Sequence, residues 1–359
     1  MAVSETLNKL KLRIFNYKRT PPLPKSLLSP VTFTNVVFAL RWSSFWRSVP
    51  YHFDLAKNIL IPTKKSIQEL RIMTLIHTIQ LMYFGIVLIF LAFERNLVML
   101  IKTRNLFDIA YAFLVSITTT AVFVGVINIG YFKRDEFSYF VNNSTQYCIN
   151  MREKFANPML ACKWRNGCEE LMVLMKIIMI TGPAISTLHF LRHPEKMIYV
   201  TSLVPKNSPF YYLCYLFYAC VRLCLQMSGS AAAMGHAFPV MGSAFCLVSL
   251  IKEIQPGQKV YRMKPSYRSP FNLRFTIRTT QLMSIYLNNI MRNILIVQHV
   301  LITWSGTLCI YSVIHFWDKL TLPARGVLTS TAFGVLGLWT AILTIAAHTY
   351  KLSEKVEDE

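Results

Sequence analysis

Six apolar blocks decide what this chain can fold into: 72–93, 106–131, 171–191, 209–251, 294–316 and 326–350. A hydrocarbon core of about 30 Å is spanned by roughly 20 helical residues, and every block reaches that length. Inside lipid the backbone must satisfy its own hydrogen bonds, which makes helices the expected spanning elements. Composition agrees: 53% of residues are hydrophobic and 15% are charged, against about 25% charged in a soluble domain. The expected fold class is all-α, a multi-pass transmembrane helical bundle.

The block 209–251 is too long for one perpendicular span. As a straight helix it would reach about 65 Å at 1.5 Å per residue. Small residues crowd its middle, "MSGSAAAMGHAFPVMGSAF" over 227–245, so it reads either as two spans joined by a loop or as one helix that leaves the membrane. Cations arbitrate. Residues 1–71 carry twelve Lys/Arg, 132–168 carry six and 252–292 carry eight, while the other connections are lightly charged. The positive-inside rule puts the three rich segments in the cytoplasm, which works only if 209–251 crosses once. The small residues then lie mid-helix and allow close helix approach, as in small-xxx-small faces. A re-entrant loop is the alternative. The expectation is six spans in the plasma membrane, a very long fourth helix, and both termini inside.

Three regions follow: a basic cytoplasmic N-terminal region (1–71), the transmembrane bundle (72–350) and an acidic tail (351–359). Within the first region, Phe33, Phe38, Trp42, Phe45 and Trp46 lie among Arg41 and Arg47. This segment either lies on the inner leaflet or packs beneath the bundle. The first 30 residues hold no apolar run of signal length, so no cleavable signal peptide is expected. Residues 137–160 read as a cytoplasmic helix whose overlapping sequons at Asn142 and Asn143 stay unmodified on that side. Residues 271–293 set Phe275, Arg278, Leu282 and Ile285 on one face of an amphipathic helix that runs into span five. That face is the expected subunit contact of a homo- or hetero-oligomer.

Catalytic motifs are missing: there is no HExxH, Walker A, GxSxG or DxD. An enzyme acting on lipids needs grouped acids, His or Cys near one leaflet, so the chain reads as a non-enzyme with no cofactor. Eight histidines are scattered and read as structural or interfacial. Eight cysteines form no CxxC pair, which gives no metal site and no disulfide framework. The formal charge of +21 is spread over three segments. It therefore points to a membrane protein's cytoplasmic loops rather than to nucleic acid.

Ionisable residues inside spans are rare and informative. Arg222 lies about 20 Å along the helix that starts near Pro209. Tyr211, Tyr215 and Tyr218 precede it at helical spacing and share its stripe. With Asp108 and Tyr111 of span two, and Thr181 and His189 of span three, these residues are the candidate small-molecule site in the outer half of the bundle. The bland reading is a packing face whose arginine meets a helix terminus, a carbonyl or Asp108. Lys176 near the inner end of span three snorkels.

The layout resembles the arthropod gustatory and odorant receptor superfamily over roughly residues 35–350. The resemblance is carried by the basic start with "WSSFWRSVPYHFDLAKN", the tract "FVNNSTQYCINMREKF", the long fourth helix 209–251, the segment "YRSPFNLRFTIRTTQLMSIYLNNIMRN", and then "HVLITWSGTLCIYSVIHF" and "LTSTAFGVLGLWTAILTIAAHTYKL". It implies a seven-helix receptor with an inside N-terminus, assembled as a tetrameric ligand-gated cation channel. It also implies an outward-facing pocket among helices two, three, four and six, and cytoplasmic subunit contacts. In that family the seventh helix lines the pore and ends near a TYxxxxxQF-type motif, which "HTYKLSEKVEDE" does not supply. The chain alone is therefore expected to pass no ligand-gated current, and to need a channel-forming partner or a further helix. Competing expectations are a small-molecule transporter and a non-conducting structural membrane protein.

Overall fold

A computed structural model describes residues 30–54, 57, 59–93, 106–156, 168–196, 199–255, 257, 261–320 and scattered positions between 325 and 347. The protein is an all-α multi-pass helical bundle with one small hairpin. In chain order the elements are α1 (Pro30–Phe45), β1 (Tyr51–Asp54), β2 (Ile59–Pro62), α2 (Lys64–Phe93), α3 (Leu106–Ile127), α4 (Arg134–Phe155), α5 (Cys168–Arg192), α6 (Tyr211–Ile254) and α7 (Pro270–His315). A π-helical turn, Asn128–Phe132, joins α3 to α4. The described positions between 325 and 347 are helical.

Five described helices are long and apolar enough to cross a membrane: α2, α3, α5, α6 and α7. The expected sixth span, 326–350, lies largely outside the described residues. The acidic tail and the residues before Pro30 lie wholly outside them.

α6 settles the reading of the 209–251 block. It is one continuous 44-residue helix, about 66 Å long, and it runs uninterrupted through Pro239. It is also the hub. Its most apolar stretch is 72% buried, against 11–39% for the other four spanning helices. Small side chains explain this position. A methyl group added at Gly235 would sit 2.7 Å from Ser43 Oγ and 2.9 Å from Val49 Cγ1, so the Ser43 and Val49 side chains pack directly on the α6 backbone. Ser230 donates to the Met179 carbonyl of α5. Ser144 of α4 and Ser243 of α6 share a buried hydrogen bond of 2.8 Å.

α1 is packed into the bundle rather than laid on a surface. Ala39 and Leu40 are buried in the same apolar cluster as Met234, Phe238 and Phe245 of α6. The hairpin β1–β2 pairs antiparallel, Tyr51 opposite Pro62. It is fastened by Asn142, whose amide donates to the Leu60 carbonyl at 3.0 Å while its oxygen accepts from the Leu60 N–H at 2.6 Å. The first sequon asparagine is thus a structural clamp. Tyr51 stacks on Phe137, and His236 meets both rings edge-on.

One expectation is overturned. Cys148 of α4 and Cys246 of α6 form a disulfide across 98 residues of sequence. Their partnership comes from α4 lying along the C-terminal half of α6, a tertiary placement that cysteine spacing does not encode.

α7 is continuous over 46 residues, so the amphipathic segment and span five are one helix, as the sequence implies. Phe275, Arg278, Leu282 and Ile285 are all exposed in the single chain, while Thr276, Thr280 and Ile290 are buried. Several hydroxyls inside the spans close on their own helices. Thr118, Thr119 and Thr120 each donate to the carbonyl four residues back, which satisfies them in an apolar setting.

Candidate ligand cavity

A cavity of about 2050 Å³ lies between α2, α3, α5, α6 and α7. It follows α5 from Met175 to Arg192, about 26 Å at the helical rise. Its wall is mostly apolar, from Leu70, Val115, Val122, Met179, Leu225 and Ile294 among others. Polar side chains are interspersed along it, among them His77, Gln80, Thr118, Gln226, His236 and Gln298. Among the described lining residues there is no acid, and Arg192 is the only Lys or Arg. It is larger than the roughly 300–1,000 Å³ of most small-molecule sites.

The eight expected site residues divide into two groups. Tyr111, Thr181 and His189 line the cavity. Thr181 spends its hydroxyl on the Ile177 carbonyl at 2.8 Å. His189 stands 4.8 Å from the Tyr111 ring and 5.3 Å from the His193 ring, centroid to centroid. Its Nε2 is buried without a hydrogen-bond partner. Tyr211, Tyr215, Tyr218 and Arg222 turn inward together, while Tyr212, Leu213, Leu216 and Phe217 on the other face are exposed. This stripe stands behind the cavity wall and not in it. Tyr211 and Tyr215 stack, Tyr215 donates to the Leu191 carbonyl at 3.1 Å, and Tyr215 and Tyr218 both pack on Phe190. Asp108 belongs to α3, but its side chain lies outside the described residues.

Arg222 joins the two groups. It is fully buried. Its Nη2 donates to Ser186 Oγ at 2.9 Å, and Ser186 lines the cavity. Its guanidinium carbon stands 4.6 Å over the Tyr199 ring. Nε and Nη1 are buried with no hydrogen-bond partner. The Tyr199 hydroxyl is 3.5 Å from that of Tyr111. Burial, with Tyr111 beside it, holds the Tyr199 phenol well above the ordinary tyrosine value, so the group stays protonated.

Ser186, Phe190 and Tyr199 complete this corner, and sequence reasoning passed over them. Ser186 and His189 are three residues apart on one helix face, and His193 follows one turn later, a signal present in the sequence. Tyr199 comes from the connection between α5 and α6, where no periodicity marks it. Among the described residues no three His, Cys, Asp or Glu side chains converge as metal ligands.

The chain matches no protein family, no curated protein and no solved structure.

Proposed function

We propose that this protein is a chemoreceptor-like membrane protein that binds a small molecule inside its helical bundle. In this reading it serves as a subunit of a ligand-gated cation channel. The observation that carries the binding half is the largely apolar cavity with a few convergent polar groups, Tyr111, Ser186 and His189, the composition expected of a small-molecule site. The channel half is supported by the resemblance in layout and by the exposed α7 face. Phe275, Leu282 and Ile285 are apolar on a helix about 69 Å long, more than twice the thickness of the hydrocarbon core. An apolar stripe beyond lipid gains by burial against another subunit.

The binding half is tested by screening the purified protein in nanodiscs against a panel of volatile and soluble small molecules, read as a rise in melting temperature. A ligand at 100 times its Kd adds about 2.7 kcal/mol of stability, a shift of several degrees. The same hits should lose effect when Thr181 or His189 is enlarged to Trp. A panel without hits, or hits indifferent to both substitutions, contradicts the site. The channel half is tested by whole-cell recording with those hits, with and without a channel-forming partner. A second reading, a carrier, draws on the cavity's 26 Å run along α5. It requires uptake of labelled ligand into vesicles without current.

A further inference from the structure

We infer that the cavity takes a long-chain carboxylate, its head at the Arg222 corner and its tail along α5 and α6. This deepens the small-molecule reading above and rests on it. The argument starts from Arg222. A guanidinium about 17 Å along α6 from Tyr211 sits deep in an apolar setting, where a cation is retained if an anion or a full set of acceptors compensates it. Here one serine hydroxyl, one aromatic face and the neighbouring Tyr218 hydroxyl are in place, while Nε and Nη1 make no hydrogen bond of good geometry. The neighbouring His189 Nε2 is a third orphaned polar atom. Arg192 adds a second cation on the cavity wall, with the His193 ring beside it. The one described acid nearby, Glu195, lies 3.6 Å from His193 and is half exposed.

A carboxylate supplies what this corner needs. It accepts two parallel bonds from one guanidinium edge, taking Nη2 over from Ser186 Oγ, and presents a further lone pair to His189. The rest of the cavity fits the rest of the molecule. It is mostly apolar, with neutral side chains such as Gln80, Gln226, Asn288 and Gln298 along it and no acid among the described residues, and at about 26 Å it exceeds the depth of one leaflet's acyl region, about half of 30 Å. A protonated amine would meet cations at the only charged end among the described lining residues, and a short polar ligand would leave most of the apolar wall unfilled.

The test uses the full chain in nanodiscs of neutral lipid and compares dodecanoate with dodecanol. Dodecanoate is expected to bind about tenfold or more tightly, the scale of a hydrogen bond to a charged group. Arg222→Gln should bring dodecanoate down to the level of dodecanol and leave dodecanol unchanged. Equal affinities in the wild-type protein would overturn the carboxylate and leave the small-molecule reading standing. That is also the result expected if Asp108 neutralises Arg222. Binding of neither ligand would overturn both readings. A measurement on the unmutated protein guards against a misfolded variant. Dodecanoate with a photoreactive diazirine next to its carboxyl should label the Ser186–Arg192 stretch or Tyr218–Leu225. Labelling at the opposite end, around Met175 or Phe245, would overturn the head-first placement.

Discussion

From Ser228 to Ile254, α6 is surrounded by protein, and Lys252 is the one exposed residue in that stretch. From Tyr211 to Cys220 the same helix has two faces, one carrying Tyr211, Tyr215 and Tyr218 inward and the other exposing Tyr212, Leu213, Leu216, Phe217 and Cys220. Both parts are apolar, so hydrophobicity does not distinguish them. Side-chain size does. The inner part is rich in Gly, Ala and Ser because α1, α4, α5 and the hairpin converge on it, and close convergence leaves no room for large side chains. The Tyr211–Cys220 part is aromatic because one face is exposed in the single chain while the other fills space around Phe190 and Tyr199. Where the helix is two-faced it also carries the buried cation, and that end adjoins the polar corner of the cavity.

The largest effect should come from the inner part. Phe245 is 3% exposed inside the apolar cluster, and Phe245→Ala should cost about 3–5 kcal/mol, read as a large drop in the melting temperature of the purified protein. Gly235→Ala comes next. Its new methyl meets Ser43 and Val49 inside 3.0 Å, and overpacking of this kind costs about 1–3 kcal/mol. Gly229→Ala is its control: the nearest atoms are 3.7 and 3.8 Å away, so the melting temperature should be unchanged or slightly raised. If the two glycine variants behaved alike, the convergence of α1 on α6 would be misplaced.

Smaller still is the outer face. Phe217 is 70% exposed, and Phe217→Ala should change stability by no more than about 0.5 kcal/mol despite deleting the same side chain as Phe245→Ala. A large loss there would mean that this face is covered, by another helix or another subunit. The smallest effect concerns pH. The hydrogen bond from Arg134 holds the Asp135 carboxyl below its usual value. A carboxyl depressed in the folded state contributes stability above its unfolded value, near 3.8, and loses it as pH falls through the lower folded value. Asp135 is exposed and Arg134 half-buried, so removing the carboxylate with Asp135→Asn should shift a neutral-pH melting curve less than any core variant, and the shift should fade as the pH is lowered through the acid range.

Much of this was legible in the chain. Block length and the distribution of cations were enough to make 209–251 one helix, because a second crossing would have put eight cations on the wrong side. The spacing of Phe275, Arg278, Leu282 and Ile285 was enough to define one exposed face of α7. The Tyr211–Arg222 periodicity told which residues share a side of α6, but not what stands opposite. Periodicity describes one helix at a time, and Ser186, Phe190 and Tyr199 reach Arg222 from other elements. The hairpin escaped because its strands are four residues each and its alternation, Tyr51 and Phe53 inward, is too short to stand out among basic residues. The pairing of Cys148 with Cys246 escaped for the same reason as the corner: it depends on how α4 lies against α6.

The central claim is that α6 crosses the membrane once, with the cavity's charged corner toward the outer side. The most direct measurement is single-cysteine labelling in intact cells with a membrane-impermeant maleimide at Ser208 and at Gly257, which flank α6. The account predicts that Ser208→Cys is labelled from outside, and that Gly257→Cys is labelled only after the membrane is permeabilised. Labelling of both positions from outside would mean that the stretch between them re-enters or crosses twice, and would contradict the single helix on which the site is built.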